Sequence, residues 1–324
     1  MTVARSSLLL TVLGALAVFG TALAHAATYP TKPVRWIVPF PPGGATDIIA
    51  RHLAEKMSAS WGQTVLIDNR AGAAGAVGSD VVAKATPDGY TILMGTTSTH
   101  AVGPAVNSKL PYDPLADFAP VTLAATFPNV LVAHPSMPAT LKELIAELKA
   151  KPGKYNFGSS GAGSSTHLTG ELFKQMTKTD VNHVPYKGTG PLLNDVMGGH
   201  VSFAFDQITA VTSMVQGGKL RALGVASLER NPALPNVPAI SEVLPGFEAT
   251  AWVGIFAPAR TPADVVLKIQ GETKRIFELP DVQQRMRELG ATPVASSPQE
   301  FAVFVKKDTA KWRDLVRTAN ITVQ

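Results

Sequence analysis

Apolar positions alternate at Val34, Trp36 and Val38, then recur at helical spacing through Ile48, Ile49, Leu53 and Met57. That change of period predicts a strand, a Pro/Gly turn and a helix. The same grammar continues along the chain. Short apolar runs at 64–67, 90–94, 155–157, 181–184, 201–207, 221–227 and 252–258 read as strands. Amphipathic stretches at 81–85, 141–148, 168–176, 192–197, 263–278, 280–289 and 298–319 read as helices, the second opened by Thr140. Strands alternating with helices predict an α/β fold built on mostly parallel sheet, with ligands bound beyond the carboxyl ends of the strands. Two apolar runs, 121–125 and 129–133, are separated by Thr126-Phe127-Pro128, which reads as a hinge where the chain leaves one sheet for another. Glu229-Arg230-Asn231-Pro232 reads as the return crossing. The expected layout is therefore two interleaved lobes, with 27–125 and 228–324 in the first and 126–227 in the second.

The turns carry the candidate chemistry. Between the first strand and helix lie Pro39, Phe40, Pro41, Pro42, Gly43, Gly44 and Ala45. The prolines donate no backbone hydrogen bond and fix φ, whereas the glycines leave the backbone bare. With Thr46 or Asp47 as helix cap, the exposed amides and helix N-terminus suit a carboxylate or phosphate. A plain structural turn is the alternative. Residues 158–167, GSSGAGSSTH, repeat the arrangement: a strand feeds a Gly/Ser-rich loop and then a helix. Gly72, Gly75 and Gly78 read instead as a small-residue packing surface, since no GxGxxG or Walker pattern occurs there.

Composition narrows the function classes. The 324 residues are 45% hydrophobic and 16% charged, which fits a globular chain large enough for two cores. The formal net charge of +5 is spread along the chain, so no nucleic-acid groove is indicated. Arg5, the apolar run 8–19 and the small-residue triplets around Ala24–Ala27 read as a cleaved secretory leader covering 1–26. There is no cysteine, which excludes disulfides and thiolate chemistry. The histidines form no HxH or HExxH pair, and neither a metal nor a cofactor is expected. His167 reads as a first-turn residue that orients its loop. An exported serine hydrolase or amidase built on Ser159–Ser165 is the competing class. It lacks Gly-x-Ser-x-Gly, because position 162 is alanine, and no Ser-x-x-Lys follows these serines.

Taken together, YPTKPVRWIVPFPPGGATD at 29–47, IDNRAGAAGAVGSDVVAKATPDGYTILMG at 67–95, YNFGSSGAGSSTHLTGELF at 155–173, HVPYKGTGP at 183–191 and the FAFD ending at Asp206 strongly resemble the Bug family. These are periplasmic substrate-binding components of tripartite tricarboxylate transporters, and the resemblance spans the mature chain. It implies a type II periplasmic-binding-protein fold, with two α/β lobes joined by two crossing segments around a ligand cleft. It also implies a non-enzymatic, monomeric binder of a small carboxylate that docks on membrane transporter subunits. Carried onto this sequence, the first clamp is Phe40, Gly43, Gly44, Ala45, Thr46 and Asp47. The second is Ser159, Ser160, Gly161, Gly163, Ser164 and His167. Thr97 and Ser98 add hydroxyls, Asn129 sits at the crossing, and Asp206 closes the far end. Neither clamp contains Arg or Lys, so helix N-termini and waters are expected to neutralise the ligand.

Overall fold

The computed structural model describes residues 29–318, so the leader segment lies outside the described residues. The strands are β1 (Val34–Val38), β2 (Val65–Asn69), β3 (Thr91–Thr96), β4 (Phe118–Ala133), β5 (Asn156–Ser159), β6 (Asn182–Pro185), β7 (Phe203–Gln207), β8 (Arg221–Val225), β9 (Thr250–Pro258) and β10 (Thr292–Pro293). The helices are α1 (Ala45–Trp61), α2 (Ala76–Ala83), α3 (Gly103–Val106), α4 (Leu141–Ala150) and α5 (Ser165–Thr177). They continue with α6 (Thr189–Met197), α7 (Ile208–Gln216), α8 (Ala263–Phe277), α9 (Pro280–Glu288) and α10 (Pro298–Thr318). Helical and strand periods in the sequence thus translate closely into elements.

The strand order is β2-β1-β3-β9-β4-β7-β5-β6, with β8 and β10 also on β4. Its two arms are parallel, β1 with β2 and β3, and β5 with β6 and β7. Its centre is antiparallel, where β9 pairs with β3 and β4, and β4 pairs with β7 and β8. The expectation of a mostly parallel sheet therefore holds for the arms and fails at the centre, because β4 and β9 are the segments that cross between them.

The change of sheet expected at Thr126–Pro128 occurs there, but within one unbroken strand, β4, rather than at a break between two. Residues 118–128 pair with β9 and residues 129–133 pair with β7 and β8. Proline donates nothing to a ladder. Pro128 is tolerated because it sits where one partner is exchanged for the next. After β8 the chain stays beside the second arm: Val225 donates to the Pro238 carbonyl, and Phe247 packs against Phe173 and Phe205. At the exchange point, Asn129 N–H donates to Ala249 O, Ala249 to Ala226 O, and Ala226 to Asn129 O.

Each arm has its own aromatic core. Under the first, His100 stacks on Phe256 with ring centroids 3.9 Å apart, and Phe301 packs against both Phe256 and Trp252. Under the second, Phe157, Phe173, Phe203 and Phe205 are fully buried. The glycine-rich 72–78 segment packs as expected: a Cβ on Gly78 would lie 2.7 Å from the Arg70 carbonyl oxygen and 2.8 Å from Pro39 Cα. That contact sets α2 against the turn leaving β1.

Candidate functional site

The parallel arms point the carboxyl ends of β1, β3, β5, β6 and β7 at one cleft, where the turns to the following helices meet. The cleft is lined by Phe40, Pro41, Gly44, Ala45 and Thr46 from the first turn and by Thr96, Thr97 and Ser98 after β3. Ser160 and Ser165 come from the second turn, and Thr189, Gln207, Phe127, Ala251 and Trp252 complete the wall. No charged side chain is among them. Four helices begin at this surface: α1 at Ala45, α5 at Ser165, α6 at Thr189 and α7 at Ile208, directly after Gln207. A helix N-terminus carries about half a positive charge and unpaired amides. Four of them around an uncharged cleft make a positive potential without a basic residue.

The first turn differs from the reading that Thr46 or Asp47 caps α1. The cap is Gly44, in extended conformation, and no side chain bonds to the first turn of the helix. The backbone of Gly43, at φ +89°, needs glycine. Asp47 turns backward instead. Its carboxylate accepts from Gly43 N–H at 3.0 Å, Arg51 Nε at 2.9 Å and Asn69 Nδ2 at 2.9 Å. Burial alone would push the Asp47 carboxyl up, but Arg51, Gly43 and Asn69 together hold it below its ordinary value. Asn69 also donates to the Phe40 carbonyl. Gly43 and Asp47 thus fix the loop from behind and leave the amides of α1 toward the cleft.

The second turn is held by neutral groups. Ser164 caps α5 by accepting from His167 N–H, and its hydroxyl donates to Gly161 O at 2.7 Å. Thr166 Oγ1 accepts from Ser160 N–H, and His167 Nδ1 accepts from Gly163 N–H. Ser159 Oγ lies 2.7 Å from His183 Nε2, and the His167 and His183 rings stack at 3.8 Å. Burial lowers His167 to about 4 and, with His167 and Lys174 nearby, His183 to about 3. Both rings are therefore neutral near pH 7. Ser159, Gly161, Gly163, Ser164 and His167 form the scaffold of this loop, while Ser160 and Ser165 reach the cleft.

Two predicted residues stand one layer back. Asp206 is fully buried, and its Oδ1 accepts from Thr189 Oγ1 at 3.1 Å and from Gln207 N–H at 2.7 Å. Burial raises its carboxyl to about 7 despite those two bonds. Asn129 donates to Thr169 Oγ1 from the opposite face of the sheet. Across the cleft the two arms already touch: Ser98 Oγ accepts from Ser165 N–H at 3.0 Å. Thr97 Oγ1 accepts from Trp252 N–H at 2.8 Å, tying the β3 turn to β9.

Sequence reading missed Thr96, Thr189, Gln207, Ala251 and Trp252 as lining residues. The signal for Thr189 was present, since Lys187-Gly188-Thr189-Gly190-Pro191 follows a strand and opens a helix like the two turns that were singled out. Gln207 directly follows Asp206, and Trp252 comes from a crossing strand whose place only topology reveals.

A serine hydrolase needs an accessible nucleophile and a base oriented by a third group. Ser159 has the histidine but is fully buried, and no carboxylate bonds to His183 among the described residues.

Comparison with known proteins agrees with the geometry. The model of the tripartite tricarboxylate transporter family receptor matches residues 49–321. A protein from Pseudomonas sp. (strain P51), described as a UPF0065 protein in the tcbD-tcbE intergenic region, is 42% identical over 291 residues. That match covers 89% of this chain and 86% of the relative. The solved structure of R. palustris Rpa4515 with adipate is 36% identical, with a TM-score of 0.89 over 91% of this chain and 99% of its own. MatC (Rpa3494) from Rhodopseudomonas palustris with bound malate is 35% identical, with a TM-score of 0.84 over 89% of this chain and 100% of its own. The two-lobe periplasmic-binding fold is shared, and the chain is not an enzyme. From its uncharged cleft ringed by helix N-termini to its matched length, the chain belongs to the tripartite tricarboxylate transporter receptor family.

Proposed function

We propose that the mature protein captures a small carboxylate in the periplasm and passes it, as a monomer, to membrane subunits of a tripartite tricarboxylate-type transporter. The observation that carries this reading is the convergence of four helix N-termini on a cleft that no charged side chain lines. Such a surface attracts an anion yet makes no salt bridge that would hold it permanently. The ligand groups are the amides and hydroxyls of Gly44, Ala45, Thr46, Thr97, Ser98, Ser160, Ser165 and Thr189. Phe40 packs against the ligand body, and Gly43, Asp47, Asn129, Ser159, Gly161, Gly163, Ser164, His167 and Asp206 hold the wall in place. The lobes meet at two points, the partner exchange after Pro128 and the start of β9 at Thr250, giving a first lobe of 32–128 with 250–318 and a second of 129–249. Ligand favours the closed form only as far as it binds closed better than open. Residues 1–26 act as a leader, cleaved near Ala24–Ala27. The relatives with adipate and with bound malate support the carboxylate class.

The test is a thermal-shift screen of ligand-stripped mature protein against mono-, di- and tricarboxylates and their uncharged amides. A true ligand at a hundred times its dissociation constant adds about 2.7 kcal/mol. A raised midpoint with acids alone supports the reading, and a response to amides equal to that to acids overturns it.

A further inference from the structure

The cleft does not end at its polar floor. Phe40, Pro41 and Ser160 also line a second cavity, whose remaining wall comes from Ala71–Gly75 on one side and from Gly161, Ala162 and Tyr186–Gly188 on the other. A third cavity shares Ser98 with the cleft and Ala73, Ala74 and Ala162 with the second, so the three adjoin one another along the 71–76 and 160–163 segments. Beyond Ser160 the second cavity is walled by aromatic, proline, alanine and glycine residues. Its only charged side chain is Lys187, which is exposed at the rim.

The backbone at this wall is strained in one place. Ala73 and Ala74 adopt φ values of +47° and +52°, in the left-handed region where glycine is the unstrained residue. Two methyl groups held there against local preference stand where the second and third cavities meet. Strain of this kind concentrates at ligand clamps, where the surrounding structure fixes it.

We propose that this annex receives the hydrocarbon body of the ligand, so that the protein selects carboxylates with an unbroken apolar body, a ring or an alkyl chain, over compact polyhydroxylated acids. This rests on the carboxylate reading above. The carboxylate lies at the helix N-termini, the body passes the neck formed by Phe40, Pro41 and Ser160, and its far end meets Ala73, Ala74 and Ala162. A hydroxyl on that body would lose its water at a wall that returns few hydrogen bonds. Added methylenes gain affinity until the annex is filled.

The test is calorimetric titration of the mature protein with acetate, hexanoate, phenylacetate, malate and citrate, repeated on Ala74→Gly and Ala162→Leu. Hexanoate or phenylacetate is expected to bind at least about tenfold more tightly than acetate and than citrate. Ala74→Gly removes a strained methyl, so it is expected to raise the melting temperature while weakening the apolar-bodied ligands by about threefold. Ala162→Leu is expected to weaken those ligands and leave acetate unchanged. Tighter binding of malate or citrate than of hexanoate and phenylacetate overturns the annex while leaving carboxylate capture intact. Unchanged affinities in both variants also overturn the annex. Binding of none of the five acids overturns the carboxylate reading itself.

Discussion

The two turns that face each other across the cleft do the same work with opposite chemistry. The turn before α1 is held by an ionised carboxylate, with Asp47 gathering Gly43, Arg51 and Asn69, and its helix is left without a side-chain cap. The turn before α5 is held by hydroxyls and two neutral imidazoles, and Ser164 caps its helix. One side therefore offers backbone amides, and the other offers hydroxyls on a pre-satisfied frame. The lesson is that an anion site can be positive without cations when the charges that build it are spent behind the wall.

The largest expected effect follows from breaking the charged frame. Asp47→Ala removes the charged acceptor of Gly43 N–H and Asn69 Nδ2 at part-buried positions, at a cost of about 2 kcal/mol, and frees the first turn. Denaturant unfolding and titration are expected to show both loss of stability and loss of ligand; retained affinity would separate Asp47 from the site. Gly44→Val tests the cleft side of the same turn. A Cβ at Gly44 already lies 3.6 Å from Thr189 Oγ1 on the opposite wall, so branched γ-carbons press against it. Affinity is expected to fall by about tenfold or more, equivalent to 1.4 kcal/mol, while the melting temperature moves little. Ser164→Ala removes the cap of α5 and is expected to cost about 1 kcal/mol, with a smaller loss of affinity than Gly44→Val.

Acid distinguishes the frames more gently. The His167 and His183 rings are held below their ordinary value, so the unfolded chain binds protons first as pH falls. Their contribution is complete above about pH 6.5 and is lost as pH falls toward about 4 and then 3. The Asp47 carboxyl, also lowered, keeps its contribution until pH falls below about 3.8. Hydrogen exchange at pH 5 is therefore expected to loosen residues 159–167 before residues 40–47, and simultaneous loosening would contradict the division. The smallest effect concerns Asp206. Its raised carboxyl favours folding below about pH 3.8, and that contribution is lost as pH rises through about 7. Asp206→Asn is expected to flatten the decline in stability from about pH 4 to about 7, and an unchanged slope would show that the carboxyl does not titrate there.

Most elements were legible because hydrophobic period is a local property, and helices such as α8, α9 and α10 announce themselves through Pro starts and amphipathic spacing. Both binding turns were legible for the same reason, since a strand, a Gly-rich loop and a helix follow in sequence. The continuity of β4 was not, because Pro128 signals a break unless its place at a change of strand partner is known. The role of Asp47 was misread for a related reason: a carboxylate in a first turn can cap its own helix or reach backward, and only Asn69, brought in by β2, decides between them. Trp252 joins the site through topology alone.

The central claim is that a carboxylate is held by helix N-termini rather than by basic side chains. The most direct measurement is a crystal structure with the tightest-binding acid from the screen. The account expects carboxylate oxygens about 3 Å from amides of the first turn of α1 and from hydroxyls of the Ser160–Ser165 wall, with no Arg or Lys in contact. A carboxylate paired with a guanidinium or an ammonium, or seated outside this cleft, would contradict it.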